Sequence, residues 1–325
     1  MRYGGEEEAA GAEQSIVLMG PGEGGVFSGY PFGPIIMMEK GGRDGVMIIS
    51  VASGKGGTGK TCVAVSLALL ASSRRPGMVQ LLDCDVEAPD CNLLVGAEMR
   101  PAGEVRLAVP RIDKSRCDFC GKCADFCNYH ALAVLPSDVL LFTELCHGCG
   151  GCALVCPRGA IGEESRTVGA LSRGVKNGLE LLEGRLNIGE TAAVPVIRAL
   201  RPMAVRELVV LDSSPGAACP MVETVRWSDF CVLVTEPTLF GLHDLKIAVR
   251  VIRKLGIPFG VVVNRDGIGD AGVEEWCARE RVSVLLRIPN SMEVARLYSK
   301  GVPPIAIPEM ESRFAQLLER LEAVA

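Results

Sequence analysis

The chain has 325 residues, of which 48% are apolar and 22% charged, with a formal net charge of −5. That length and balance build a substantial core, as one large domain or two modest ones, and exclude a disordered chain. Such mild acidity gives no bulk electrostatic reason to bind nucleic acid or an anionic membrane. No uninterrupted apolar run approaches the ~20 residues that span a bilayer. Arg2 followed by Glu6, Glu7 and Glu8 is not the basic-then-apolar start of a secretory signal, so a cytoplasmic location is expected. Fourteen cysteines in a chain of this kind favour metal or cluster ligation over disulfides. Few aromatics (5%) and 38 glycines point to an aliphatic core.

Residues 1–46 are rich in Gly, Glu and Pro and lack a sustained period of two or 3.6. They read as a disordered tail or as an upstream extension with the true start at Met47. From Met47 short aliphatic runs alternate with helical stretches. Strands are expected at 47–52, 78–82, 207–211, 230–235, 259–263 and 282–286, and helices at 60–73 and 241–255. Most of the strands are continuous aliphatic runs, as suits strands buried on both faces of a parallel sheet. The fold class expected is α/β: a doubly wound, mostly parallel sheet with right-handed crossovers. The alternation breaks at 111–164, which is dense in Cys and Gly. The domains expected are therefore a first part at 47–110, a small α+β insert at 111–164 and a second part at 165–325.

The first strand runs into Gly54-Lys55-Gly56-Gly57-Thr58-Gly59-Lys60-Thr61 and then an apolar helix beginning with Cys62. This fits the G-x-x-x-x-G-K-S/T phosphate loop in its strand–loop–helix context. Glycines let backbone N–H groups converge on an anion, and the helix N-terminus adds partial positive charge. The nucleotide-contacting run is Gly54, Gly56, Gly57, Thr58, Gly59, Lys60, Thr61 and Cys62, with Lys60 on the β- and γ-phosphates and Thr61 on Mg²⁺. The second, early lysine, Lys55, makes the loop resemble the deviant Walker A of the MinD/ParA/nitrogenase iron protein class. That resemblance implies ATP as ligand, a catalytic role for Lys55 across the interface of an ATP-sandwich homodimer, and ATP hydrolysis. It also implies that strand 78–82 ends in switch I, where Asp85 positions the attacking water and Asp83 lies near Mg²⁺.

The insert carries Cys117, Cys120, Cys123 and Cys127 spaced C-x2-C-x2-C-x3-C, then Cys146, Cys149, Cys152 and Cys156 in the same spacing before Pro157. Each run resembles that of bacterial ferredoxins, in which the fourth cysteine ligates the other cluster. The resemblance implies one 4Fe–4S cluster on Cys117, Cys120, Cys123 and Cys156, and a second on Cys146, Cys149, Cys152 and Cys127. Structural zinc on paired C-x2-C motifs is the alternative, but the three-cysteine cadence does not suit a zinc ribbon. Asn128 stands where Pro is usual. His147 reads as an outer or exposed neighbour because the cysteine ligands are already complete.

Strand 207–211 ends in Asp212-Ser213-Ser214-Pro215-Gly216. By the same resemblance this is Walker B with switch II, Asp212 holding Mg²⁺ through water and the Gly216 N–H sensing the γ-phosphate. Cys219, just beyond, is read either as a packed cysteine before proline or as a link between nucleotide state and cluster chemistry. Cys62, Cys84, Cys91, Cys231 and Cys277 read as small buried hydrophobes in their apolar or helical settings. Glu236-Pro237 falls on the base-side rim without an assigned role. Asn264, after strand 259–263, occupies the family position that reads the adenine edge, although Asn after a strand is also a common turn former.

Residues 47–325 thus resemble the MinD-superfamily P-loop ATPases with an inserted two-cluster ferredoxin domain. The leading function is an ATPase coupling nucleotide state to electron transfer through two clusters, with an unidentified redox or iron–sulfur partner. An iron–sulfur assembly or carrier ATPase is the second reading, and a positioning ATPase the third. The C-terminal helix is amphipathic but more acidic than basic, which suits docking on the domain and not on a membrane.

Overall fold

The computed structural model describes residues 16–17 and 45–324. The expectation for residues 1–46 therefore lies outside the described residues, apart from 45–46 and a two-residue strand β1 (Ile16–Val17) at the edge of the sheet. Strand β2 (Met47–Ala52) leads through a loop to helix α1 (Lys60–Arg74), then β3 (Val79–Cys84) and the short α2 (Cys91–Val95). Next come β4 (Arg100–Ile112), α3 (Lys122–Phe126), β5 (Leu132–Leu135), β6 (Asp138–Leu141), α4 (Gly151–Leu154), β7 (Ile161–Lys176) and β8 (Leu179–Leu186). The chain finishes with α5 (Ala193–Leu200), β9 (Leu208–Ser213), α6 (Cys219–Val225), β10 (Phe230–Thr235), α7 (Leu239–Leu255), β11 (Phe259–Asp266), α8 (Gly272–Arg279), β12 (Val284–Pro289), α9 (Met292–Tyr298) and α10 (Pro308–Glu322).

The main sheet has the order β1-β4-β7-β8-β3-β9-β2-β10-β11-β12. From β8 to β12 every pairing is parallel, while β4, β7 and β8 pair antiparallel. The parallel strands β3, β9 and β10 are buried throughout, as their unbroken aliphatic runs require. Their alternate residues feed two layers. Val232 and Val234 pack with α1 and α10, whereas Cys231 and Leu233 pack with α7 and α8. On the same side as α7, α5 packs Val196, Ile197 and Leu200 against Val209 and Leu211.

Helix α10 closes the α1 side with Met310, Phe314, Leu317, Leu318 and Leu321, all buried. Its apolar face is thus engaged with the domain. Among the described residues no helix is long and apolar enough to cross a membrane.

The long pair β4 and β7 is the part that hydrophobic runs did not reveal. Its residues alternate between the two faces, so no continuous aliphatic run marks it. The pair runs from Arg100–Arg173 to Ile112–Ile161, and Asp113 N–H donates to Ala160 O at 2.7 Å where it ends. The cysteine-rich segment leaves and re-enters the domain at that point, with the β5–β6 hairpin as its own small sheet.

Candidate functional site

The phosphate loop sits at the carboxyl end of β2, where an open α/β sheet presents its ligand crevice. Gly57 (φ +77) and Gly59 (φ +90) take left-handed backbone that L side chains avoid. A Cβ at Gly59 would run into the Asn264 amide, and one at Gly54 into the Asp244 carbonyl. Gly56 and Gly57 meet nothing, so the outer rim of the loop stays clear. The Thr58 hydroxyl is buried and lacks a hydrogen-bond partner, an orphaned donor inside the loop that a phosphate oxygen would satisfy.

Lys60, Thr61 and Asp212 converge below the loop. Lys60 Nζ donates to Asp212 Oδ1 at 2.7 Å, and Thr61 Oγ1 donates to Asp212 Oδ2 at 2.7 Å. Asp85 Oδ2 lies 3.6 Å from Lys60 Nζ. Burial opposes the charge on Lys60, but Asp212 outweighs it and raises the ammonium pKa above its usual value. Burial pushes the Asp85 carboxyl up to about 6; Lys60 opposes the shift, and Asp212 and Asp90 reinforce it. A hydroxyl and a carboxylate side by side form an oxygen donor set of the kind Mg²⁺ takes.

Asp83 is engaged differently. Its Oδ1 accepts from Asp85 N–H (3.1 Å) and its Oδ2 from Asp90 and Cys91 N–H (2.9 Å each), so it holds the turn into α2. Burial and then Asp212 raise its carboxyl. Gly216 N–H donates to Ser53 O at 2.9 Å, and must leave that carbonyl to touch a phosphate. Asn264 Nδ2 donates to Thr58 O at 2.7 Å while its Oδ1 accepts from Arg265 N–H, which makes it a strut for the loop. Cys62 is buried in α1.

Two residues that the sequence named without an active role gain partners here. The buried Cys91 thiol donates to Asp212 Oδ2 at 3.4 Å, a third donor on that carboxylate, and nothing in its neighbours distinguishes it from a packed cysteine. Glu236 lies buried at the end of β10 and binds Lys55 at 2.6 Å and Arg265 at 2.8 Å. Its place at the carboxyl end of a strand was the available signal.

None of the fourteen cysteines is paired in a disulfide. In the insert, the turns and cysteine contacts of the first run return 29 positions later. Cys117 accepts from Phe119 N–H and Cys146 from Gly148 N–H, both at 3.4 Å. Cys127 accepts from Ala131 N–H (3.4 Å) and Cys156 from Ala160 N–H (3.3 Å). The left-handed positions pair likewise: Phe119 with Gly148, Gly121 with Gly150, His130 with Gly159. The turn after Cys127 closes through His130 N–H to Cys127 O, as that after Cys156 does through Gly159, although Asn128 stands in for Pro157.

The two runs interleave. Cys117, Cys120, Cys123 and Cys156 line one pocket with Ile112, Val134, Val139 and Pro157. Burial raises the Cys146 thiol, and Cys149 together with Cys127 of the other run raises it further. A tetrahedral zinc site needs thiolates ~3.8 Å apart. Among the described residues, only Asp83, Asp90 and Cys91 bring three such ligand atoms within 4.8 Å of one another; no three of the insert's thiols do. Backbone N–H groups donate to Cys117, Cys127, Cys146 and Cys156, an environment that tunes sulfur ligands.

His147 stacks on Tyr129, ring centroids 3.7 Å apart and 14° from parallel. Burial raises the Tyr129 hydroxyl, and Cys149, Cys219 and Cys127 add to the shift, which puts exposed Cys219 within electrostatic reach of the same tyrosine as two insert thiols.

Residues 49–305 match the family model described as the CobQ/CobB/MinD/ParA nucleotide binding domain. An uncharacterized protein of Methanocaldococcus jannaschii is 32% identical over 69% of this chain and 80% of its own length. The iron-sulfur cluster carrier protein of Pyrococcus abyssi is 22% identical, with 84% of each chain covered. Among solved structures, the cell division ATPase MinD of Pyrococcus furiosus superposes with a TM-score of 0.52 at 20% identity, over 86% of this chain and 99% of that one, a likeness of fold.

Proposed function

This chain belongs to the CobQ/CobB/MinD/ParA nucleotide-binding family and is an ATPase of the MinD/ParA type, and from that premise we propose that it couples its nucleotide state to electron transfer through two 4Fe–4S clusters. The observation that carries the proposal is the pocket shared by Cys117, Cys120, Cys123 and Cys156, three thiols of one run and the last of the other. The first cluster is assigned to these four residues, and the second to Cys146, Cys149, Cys152 and Cys127. When bound, the clusters supply sites for single electrons.

The ATPase chemistry follows from the convergence on Asp212. In the structure Lys60 and Thr61 both donate to that carboxylate. On ATP binding, Lys60 turns to the β- and γ-phosphates and Thr61 with Asp212 holds Mg²⁺. Asp85, next to Lys60, accepts a hydrogen bond from the attacking water and orients it in line with the γ-phosphate. Gly216 exchanges Ser53 O for a γ-phosphate oxygen, which shifts the segment that leads into Cys219. Asn264 keeps a second amide hydrogen for the adenine edge while it braces the loop. The active unit is a homodimer sandwiching ATP, with Lys55 reaching the partner's phosphates.

The second reading is a cluster carrier. It is favoured by the P. abyssi relative of that name and by the exposure of Cys120 and Cys149. Anaerobic protein titrated electrochemically with a non-hydrolysable ATP analogue and with ADP separates the two. A nucleotide-dependent midpoint shift with clusters retained supports electron transfer; rapid ATP-dependent loss of iron to an apo-ferredoxin supports the carrier.

A further inference from the structure

Lys55 does not reach outward in this structure. Its ammonium lies 2.6 Å from Glu236 Oε1, while Arg265 binds the other oxygen, Oε2, at 2.8 Å. The Glu236 side chain is 8% exposed and the Lys55 side chain 30%. The backbone that carries Glu236 is closely packed: a Cβ at Gly241 would run into Glu236 O, and one at Gly269 into Pro237 O. Arg265 itself holds a left-handed backbone (φ +53), a conformation a non-glycine residue keeps only when its surroundings enforce it. Burial alone would raise the Glu236 carboxyl, but Lys55 and Arg265 outweigh it and keep it below the usual carboxylate range.

From this we infer that Glu236 is a positioning residue for Lys55, holding the lysine on its own subunit until a nucleotide-bearing second copy draws it across. The inference rests on the ATP-sandwich reading of the dimer. The double pairing explains why such a hold is reversible. Removing the only partner of a buried charge is strongly unfavourable. Here Arg265 stays with Glu236 when Lys55 departs, so the carboxylate is never orphaned. Lys55 exchanges one charge-assisted hydrogen bond for another, to a phosphate that carries more charge. The pair therefore sets how much nucleotide and protein are needed for dimerisation and leaves the site of chemistry, around Lys60 and Asp212, unchanged.

The geometry also separates Glu236 from a structural ion pair. A purely structural pair would stabilise the monomer and leave the dimerisation midpoint alone. A hold on Lys55 opposes dimerisation twice, once for each copy.

The test uses the full chain with a non-hydrolysable ATP analogue and reads dimer formation by light scattering across protein concentrations. Glu236→Gln keeps the shape and removes the charge, and is expected to dimerise at a protein concentration at least about tenfold below wild type. Glu236→Asp, which restores the charge on a shorter arm, is expected to fall between the two. Thermal melting of each nucleotide-free variant confirms that it is folded. A wild type that dimerises with an unshifted or weakened Glu236→Gln variant would overturn the role of Glu236 alone. Wild type and variant both monomeric with the analogue would overturn the sandwich reading, and the hold with it.

Discussion

Lys60 and Asp212, from the start of α1 and the end of β9, form a buried ion pair at 2.7 Å. In the proposed mechanism the pair joins the lysine that turns to the phosphates to the carboxylate that holds Mg²⁺. Each is the other's counter-ion until ATP arrives. Asp212→Asn leaves Lys60 underneutralised in a buried site, where loss of one partner costs about 3–5 kcal/mol. It is expected to lower the melting temperature of the nucleotide-free protein and to reduce kcat by at least about a hundredfold, by analogy with loss of one preorganised electrostatic group. ATP hydrolysis and differential scanning calorimetry read the two effects.

Asp85 supplies a pH signature. Its folded carboxyl titrates near 6, above the usual value of 3.8. A raised carboxyl means that the folded state holds the proton more tightly than the unfolded chain. Ionised Asp85 therefore costs stability, and that cost appears as pH rises from about 4 through 6. Under the proposed role activity runs the other way, because the carboxylate is a stronger acceptor for the attacking water than the protonated acid, whose O–H is a donor. The kcat/KM profile, which reports the free enzyme, is expected to rise with pH through about 6. Asp85→Asn is expected to remove that limb along with most of the activity; a limb that survives assigns the titration to another group.

Asn264 tests the loop. Its amide joins Thr58 O to the backbone of Arg265 across the crevice. Asn264→Ala removes the strut and leaves Thr58 O without that donor, a loss of about 1–3 kcal/mol. The expected result is weaker ATP binding by calorimetry, with little change in iron content. Cluster loss in this variant would contradict the separation of the two sites.

The central strands and the phosphate loop were legible because burial on both faces leaves an uninterrupted aliphatic run and because loop glycines have a steric purpose. The frame β4–β7 was not legible as sheet. One face of it is solvated over much of its length, and β4 contains Pro101, Gly103 and Pro110, which read as breakers. The cysteine cadence named the thiols, but their interleaving in space depends on a turn that Asn128 makes without proline. The pairings of Glu236 and Cys91, though not their placement, were illegible for a shared reason. Each acts through a residue distant in sequence, Lys55 and Asp212, and a pairing across that distance leaves no local pattern.

The insert's crosswise assignment has its own consequence. Cys117→Ala and Cys156→Ala are expected to remove the same cluster, and Cys127→Ala and Cys146→Ala the other, each leaving about half the iron. Electron paramagnetic resonance of the reduced variants should therefore give two spectra, sorted by pocket and not by sequence run. A division following the runs, with Cys117 and Cys127 alike, would contradict the shared pocket.

Cys149, Cys219 and Cys127 all act electrostatically on the Tyr129 hydroxyl, so Cys219 offers a test of whether the proposed nucleotide switch touches the proposed clusters. Cys219→Ser is expected to keep full iron and hydrolysis while reducing the effect of the ATP analogue on the second cluster's midpoint potential. An unchanged nucleotide effect removes Cys219 from the path.

The most direct measurement is metal and acid-labile sulfide analysis of the protein purified without oxygen, on material that hydrolyses ATP. The account predicts a brown protein with about eight iron and about eight sulfide per chain. A colourless, ATP-hydrolysing protein holding about two zinc ions per chain and no sulfide would contradict it.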